Sequence, residues 1–213
     1  MTTEKMNVHL ALAELKVLDK RIDDAIREGN WILANKHSNT VIGGVALVEV
    51  VENMKSRYQK VHDLIRRRDA IKRAVVLSNA TTKVLIAGVE YTVAEAIDMK
   101  NNGVVHLGRL MNKLSYEYGL AKDAADKVNG SELGRRADDY VRTMVGNTDT
   151  KGMGDEIKRM RDDFIKAQTV ELVDPIGVQK QIELLDKRVN DFVVNVDAAL
   201  SVSNAVTEIV VKY

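Results

Sequence analysis

The chain has 213 residues, which is enough for one sizeable domain, or one domain with an insertion, and leaves little room for two. It carries 32 Lys and Arg residues against 31 Asp and Glu residues, a formal net charge of +1. This balance gives no global electrostatic reason to bind nucleic acid or an anionic membrane. Cysteine is absent, which excludes disulfides, thiolate nucleophiles and cysteine-ligated metal sites.

The composition also predicts the fold class and the compartment. With 45% hydrophobic residues and a single proline, the chain is typical of a mainly helical protein. The first residues lack the basic start and apolar stretch of a signal peptide, and no apolar run approaches the roughly 20 residues of a membrane helix. We therefore expect a soluble protein of the cytoplasm.

Apolar periodicity predicts two helices in the first part of the chain. The first spans about residues 4–27, and residues 30–44, which are rich in Asn, Ser and Gly, are typical of a loop or short hairpin. The second helix should end near Leu77. Its apolar seam comprises Leu47, Val51, Met54, Tyr58, Val61 and Ile65.

The middle of the chain predicts a β-hairpin followed by further helices. Residues 83–93 have the β-branched pattern of a hairpin, and Thr92 with Glu95 forms a capping box that begins a helix at Val93. We expect this helix to be interrupted at residues 101–103. A second seam then runs from Leu107 to Val128, and shorter helices are expected near residues 132–145 and 155–169, separated by a loop at 146–154.

The last part of the chain predicts one long helix and a strand. Asp174 and Pro175 begin the helix, whose seam runs from Val178 to Ala199, and the final residues TEIVVKY are typical of a strand. These elements predict a mainly α fold, an elongated antiparallel helical bundle or coiled-coil hairpins, with a small β-sheet or hairpin at one end. We expect a single helical domain over 1–213, in which the least regular region, 130–154, is the best candidate for an insertion, a mobile lid or a partly ordered excursion, and a homo-oligomer in which long helices also pair between subunits.

A Ser-Asn pattern occurs three times where helix is expected to give way to extended chain. It begins at Ser38, at Ser78 and at Ser203, and a Thr or β-branched residue follows each time. Ser and Asn side chains bond nearby backbone groups and suit helix ends. One interpretation is three similar helix-to-strand junctions that gather into one small sheet. The alternative is a polar pocket formed by the same side chains.

The second helix is locally basic between Lys55 and Arg73. Its seam continues past Ile65 to Arg68 and Lys72, so we expect both cations to face the interior, where an unpaired charge is costly. Their partners are either carboxylates or an anionic ligand. The carboxylates on helices with facing seams are Asp19, Asp23 and Asp186. Arg66 and Arg67 lie off the seam and are expected on a solvated face.

A search for catalytic and metal-binding motifs finds none. The four histidines are far apart and lack metal-ligand spacing, and no nucleotide-binding loop or nucleophile elbow is present. The basic segment also lacks a helix-turn-helix or RNA-binding signature. We therefore expect no catalytic residue, no metal, no cofactor and no nucleic-acid or membrane partner.

Three segments resemble one known family. They are LKVLDKRIDDAI, RRRDAIKRAVVLSNATTKVLIAGVEYTVAEAI and DPIGVQKQIELLDKRVNDFVVNVDAALSVSNAVTEI. Together they are similar to the septicolysin-like helical family, which includes short bacterial and longer phage-encoded proteins. The similarity covers roughly residues 10–100 and 172–209, and the resemblance implies that 103–170 is an insertion that the short members lack. Because the chain has no thiol and no membrane-inserting segment, we do not transfer a cytolytic activity. The resemblance implies a phage accessory protein, which would be located in the host cytoplasm.

These observations lead to one functional expectation and one alternative. We expect a non-enzymatic homo-oligomer that binds and sequesters a small anionic, nucleotide-like ligand, in a phage setting a host immune signal. Cations would meet phosphates, hydroxyls and an amide would donate hydrogen bonds, and an aromatic ring would stack. The expected residues are Arg68, Lys72 and Arg73 for the phosphates, Ser78, Asn79, Thr81 and Thr82 for hydrogen bonds, and Trp31 or Tyr91 for stacking. The alternative is a virion or scaffold protein without a small-molecule ligand.

Overall fold

The computed structural model describes residues 2–146 and 153–213 and divides the chain into two compact units. Unit 1 contains residues 1–103 and 191–213, and unit 2 contains residues 104–190. Residues 104–170 of the expected insertion lie in unit 2. The loop expected at 146–154 falls largely outside the described residues. Within the described ranges, every helix is too short or too polar to cross a bilayer.

The protein is mainly helical, with short two-stranded antiparallel sheets, as the sequence predicts at this coarse level. The α-helices are α1 (Val8–Glu28), α2 (Leu47–Thr81), α3 (Val93–Asp98), α4 (Val104–Asn129), α5 (Ser131–Val145), α6 (Gly154–Gln168) and α7 (Val178–Val206). A π-helical turn, Met99–Gly103, joins α3 to α4. The strands are β1 (Thr3–Asn7), β2 (Val41–Ile42), β3 (Val45–Ala46), β4 (Lys83–Ile86), β5 (Val89–Thr92) and β6 (Glu208–Lys212).

The core of unit 1 forms where α1 and α2 pack on the pair of strands from the two ends of the chain. Strand β1 pairs with β6, with Thr3 opposite Lys212 and Asn7 opposite Glu208. Alternation along β6 buries Ile209 and exposes Val210, as expected for strands that cover one side of a core. The buried residues of this cluster are Met6, Val8, Ala11, Leu15, Leu18, Ile71, Val75, Ile209 and Val211.

The first helix begins four residues later than the periodicity predicts. Residues before Val8 form β1, and the Asn7 side chain caps α1 by accepting a hydrogen bond from the Leu10 N–H at 2.8 Å. Strand β1 was not expected, because its partner β6 lies at the other end of the chain. The final strand, in contrast, is confirmed.

The sequence interpretation of one common sheet is wrong. Strands β2 and β3 form a separate pair, and β4 pairs only with β5, through the turn at Ala87 and Gly88. Both turn residues have positive φ, 51° and 81°, which suits glycine at the second position. The Ser38 pattern also does not end a helix, since residues 29–40 are non-helical.

Two Ser-Asn junctions are nevertheless equivalent in structure. The Thr82 N–H donates to the Ser78 carbonyl at 2.8 Å, and the Thr207 N–H donates to the Ser203 carbonyl at 2.9 Å. The carbonyl of Thr82 then accepts from the N–H of Val93. In the same way, the carbonyl of Thr207 accepts a hydrogen bond from the N–H of Val8. The same arrangement of helix, strand, antiparallel strand and helix therefore occurs twice. One copy consists of α2, β4, β5 and α3, and the other consists of α7, β6, β1 and α1.

The capped helices of the two copies also correspond. Asn7 caps α1 and Thr92 caps α3, each by accepting from the N–H three residues later. The next residue is a buried valine in both cases, and Ala11 and Ala96 are both fully buried. Unit 1 thus contains one local arrangement twice, and positions on α2 have counterparts on α7.

In unit 2, α5 and α6 pack against each other. The rings of Tyr140 and Phe164 stack with centroids 4.7 Å apart, and Arg161 pairs with Asp138 at 2.7 Å. Helix α5 is confirmed within one residue of its expected bounds. The α-helix is interrupted at the expected residues 101–103, but by a π-helical turn that keeps the chain helical, in which the Asn102 side chain donates to Asp98.

Candidate anion-binding groove

Arg68 has carboxylate partners within the chain. Its Nε lies 3.0 Å from an Asp19 oxygen and its Nη1 lies 3.1 Å from Asp69. Hydrogen bonds to Asp19 and then to Asp69 raise the pKa of Arg68 above its usual value. Asp19 is one of the three carboxylates that the sequence offered as partners. The side chain is 37% exposed, so Arg68 joins α1 to α2 at the rim of the core.

Lys72 does not face the interior, and that expectation is wrong. Its side chain is exposed, while the buried positions of α2 are Val61, Ile71 and Val75. The physical reason is its position beside Ile71, which is fully buried. Consecutive residues of an α-helix point about 100° apart, so Lys72 lies beside the side of α2 that Ile71 and Val75 turn to the core.

The hydroxyl groups at the end of α2 bond to one another and to the helix backbone. Ser78 Oγ lies 3.3 Å from Thr82 Oγ1, and the Thr81 hydroxyl donates to the Leu77 carbonyl at 3.1 Å. Asn79 is half-buried beside them. These contacts account for the Ser-Asn pattern as a helix ending.

The two candidate stacking rings lie apart from each other, and only Tyr91, opposite Val84 on the hairpin that follows α2, is near this corner. Trp31 packs over Gly29 and makes an edge contact with Tyr58, the ring centroids being 6.2 Å apart. Tyr58 precedes Ser78 by roughly 20 residues, about 30 Å of helix. Tyr91 instead contacts Phe192, at 5.6 Å between centroids. The structure therefore does not gather the expected residues into one site.

A groove with a volume of about 350 Å³ lies along the middle of α2, beside the end of β6. We call it the basic groove. It is lined by His62, Ile65, Arg66, Asp69, Ala70, Arg73 and Lys212. Arg73 is the one expected ligand residue that lines it.

The basic groove has an excess of positive charge. Its cations are Arg66, Arg73 and Lys212, and its single carboxylate, Asp69, already bonds to Arg68. Arg66 reaches Asp63 only at 4.0 Å, with both side chains more than half exposed. The described parts of the chain provide no ion pair for Arg73 or Lys212. The groove therefore offers guanidinium and ammonium groups to an anion.

Regular elements position these cations. His62, Arg66, Asp69 and Arg73 recur at steps of three or four on α2, which places them along one face. Lys212 is held at the end of β6, because Val211 beside it is fully buried and Lys212 itself pairs with Thr3. Sequence reasoning found the basic helix but missed Lys212, which local patterns cannot place next to α2.

Arg67 is bonded within the chain rather than solvated, so the expectation for it is wrong. Its guanidinium bonds to Glu14 at 2.5 Å, to Glu4 at 3.0 Å and to the hydroxyl of Tyr213. The hydrogen bond to Glu14 is the main cause that raises its pKa, although burial opposes the shift. A larger groove, of about 680 Å³, lies beside it and shares Arg66 with the basic groove.

An apolar cavity of about 690 Å³ lies between the end of α1 and the first half of α2. Trp31 and Tyr58 contribute aromatic surface to it. Its lining residues are Ile26, Trp31, Leu33, Val51, Met54, Lys55, Tyr58 and Val61. Lys55 pairs with Glu52 at 2.9 Å, so this cavity has no unpaired cation for an anionic group.

No cluster of His, Asp and Glu with metal-binding geometry occurs among residues 2–146 and 153–213. Comparison with known proteins returned no match to a family model, to a curated protein or to a solved structure. The resemblance to the septicolysin-like family therefore stays a prediction.

Proposed function

We propose that this chain is a non-enzymatic, homo-oligomeric binding protein that sequesters a small anionic, nucleotide-like ligand in the basic groove. The observation that carries the proposal is the set of three cations around one groove, two of them without a carboxylate partner in the described residues. A volume of about 350 Å³ lies within the usual range of small-molecule sites. The half-buried side chain of Ile65 adds an apolar contact surface.

In this proposal the ligand site lies along the middle of α2, whereas the sequence predicts it at the end of that helix. Of the expected ligand residues only Arg73 lines the groove, whereas the hydroxyls at the end of α2 serve its ending. The phage setting and the host immune signal rest on the resemblance alone. The elongated antiparallel bundle is likewise part of the proposal, supported by the packing of α1 on α2.

The test compares two adjacent cations. Arg73→Ala removes a cation that lines the basic groove, and Lys72→Ala removes an exposed neighbour that does not. We expect a nucleotide from a panel of mono-, di- and triphosphates to raise the melting temperature of the wild type. Isothermal titration should then show binding weakened about 10- to 100-fold by Arg73→Ala, as for one lost hydrogen bond to a charged group. Lys72→Ala should bind as the wild type does.

Two results would contradict this assignment. If no nucleotide stabilises the wild type, the ligand class is wrong. If Lys72→Ala weakens binding as much as Arg73→Ala does, the ligand lies nearer the end of α2 than the groove.

The second candidate is a structural or assembly protein without a ligand. It is favoured by large apolar side chains at the surface, among them Ile32, Val48 and Val173. It is also consistent with the internal pairing of Arg68. This candidate predicts large or polydisperse assemblies by light scattering and no nucleotide-dependent stabilisation.

A further inference from the structure

An apolar stripe lies on the exposed side of the last turns of α7. It consists of Val194, Ala198, Val202 and Val206, at steps of four residues, and we call it the α7 stripe. The three valines are 77%, 63% and 72% exposed. The core-facing side of the same helix is formed by Phe192, Val196 and Ser203, which are buried. The stripe is therefore a helix face that the packing of unit 1 leaves uncovered.

The repeated arrangement in unit 1 supplies an internal comparison for this face. Since Ser203 on α7 corresponds to Ser78 on α2, Val194 and Ala198 correspond to Asp69 and Arg73. Further along, Val202 corresponds to Leu77 and Val206 to Thr81. Three of these four exposed positions on α2 are thus charged or polar. The fold does not require apolar residues there, so their occurrence along α7 calls for a contact.

The charge pattern restricts what the contact is. Three of the four stripe residues lie in the segment 198–207, which has no charged side chain, and Asp197 before it pairs with Lys100. A partner surface that carries charge would lose hydration on this stripe and gain no ion pair. The matching surface must itself be uncharged and presented by a regular element with small side chains. The α7 stripe of a second copy has these properties.

The exposed area agrees with association. The chain exposes 15343 Å² of solvent-accessible surface. A compact monomer of 23.7 kDa exposes only about 10,000 Å², and two separate compact domains with the sizes of units 1 and 2 expose about 12,000 Å². The excess of about 3,000 Å² or more is spread over both units, and it is large enough to include the roughly 800 Å² that each partner buries in a standard interface.

We propose that the α7 stripe is a two-fold interface at which a second copy of this chain packs antiparallel. An isologous contact places Val194 opposite Val206 of the partner subunit and Ala198 opposite Val202 of the partner subunit. Alanine and valine at the contact allow the helix axes to approach to about 8 Å. The proposal rests on the homo-oligomeric part of the proposed function and does not depend on the ligand.

The first test places one charge at equivalent positions on the two helices. Val202→Glu should halve the mass of the wild-type dimer, twice 23.7 kDa, to that of a monomer in light scattering after size exclusion. Leu77→Glu, at the α2 counterpart and equally exposed at 63%, should remain a dimer. A helical circular dichroism spectrum checks that each variant is folded. Nucleotide titration of Val202→Glu measures ligand binding in the basic groove separately from association of the subunits.

The second test determines the relative orientation of the two α7 helices by engineered disulfides. Because the chain has no native cysteine, each cross-link can be assigned to the introduced residues. Mixed Val194→Cys and Val206→Cys chains should cross-link on oxidation. Either variant alone should not, because like positions lie about 18 Å apart across an antiparallel pair. Cross-linking of Val194→Cys with itself would overturn the antiparallel geometry. A monomeric wild type, an unchanged mass for Val202→Glu, or equal dissociation by Leu77→Glu would overturn the interface.

Discussion

Arg67 joins three parts of unit 1 through one guanidinium group. It bonds to Glu14 of α1, to Glu4 of β1 and to Tyr213 next to β6. The guanidinium carbon, Cζ, also lies 4.8 Å from the centre of the Tyr213 ring. The side chain is 23% exposed, so solvent screens these contacts less than the ion pairs at the surface. The network fixes both ends of the chain against the middle of α2.

We expect Arg67→Met to lower the free energy of unfolding by about 2 kcal/mol, as for loss of a hydrogen-bonded charge that is partly buried. Methionine keeps an apolar stem and leaves Glu4 and Glu14 without their cation. Urea denaturation measures the change. Arg66→Met is the control, since Arg66 is 67% exposed and its nearest carboxylate is 4.0 Å away; it should change stability by less than about 0.5 kcal/mol. Equal effects for both variants would show that Arg67 has no structural role.

At the scale of the element, the start of α3 at Val93 is predicted to the residue. The capping box expected from Thr92 and Glu95 is confirmed: the Thr92 N–H donates to the Glu95 carboxylate at 2.7 Å, and the Glu95 N–H donates to the Thr92 hydroxyl at 3.1 Å. Both contacts are local, so a sequence window of four residues contains them. Strand β1, the π-helical turn and the later end of α2 were missed, because the first needs a distant partner and the others depend on packing.

The capping box makes the start of α3 sensitive to acid. The hydrogen bond from the Thr92 backbone lowers the pKa of Glu95 below its usual 4.5. A carboxylate with a lowered pKa stabilises the fold above its unfolded-state pKa, and this contribution is lost as the pH falls through the folded-state pKa. We therefore expect the deficit in melting temperature of Glu95→Ala to be constant at neutral pH and to shrink below about pH 4.5.

The matched control is the uncharged cap in the second copy of the arrangement. Asn7→Ala should cost about 1 kcal/mol at every pH, since the amide does not titrate. Thermal unfolding monitored by circular dichroism between pH 3 and 7 compares the two variants. A pH-independent deficit for Glu95→Ala would mean that its carboxylate contributes only through helix propensity.

At the scale of the whole molecule, the connection between long helices differs between the two copies of the arrangement. In the first, residues 29–46 connect α1 to α2; in the second, residues 130–177 connect α4 to α7 and include α5 and α6. Helices α5 and α6 bury Leu133, Ala137 and Val141 mainly against each other. The longer connection is thus a helical pair with its own contacts.

Replacing residues 130–177 with the sequence of residues 29–46 should leave unit 1 folded. We expect the main unfolding transition to stay within about 4 °C of the wild type, because the cluster of α1, α2, β1 and β6 lies outside the replaced segment. Truncation after Thr207 is the contrasting variant. It removes β6 and should lower the transition much further, since Ile209 and Val211 are buried in that cluster. A larger loss from the replacement than from the truncation would contradict this description of the core.

The sequence by itself determined the helical class, the β4–β5 hairpin, the capping box and the basic character of α2. Each of these depends on residues within a few turns of one another, where period, capping and turn chemistry act locally. Only the tertiary structure decided that Arg68 pairs with Asp19, that Arg67 bonds to Tyr213 and that Lys212 stands beside Arg73. Those contacts join positions far apart in the chain, and the residues of α1, β1 and β6 that pack on α2 decide which side of this 35-residue helix is buried.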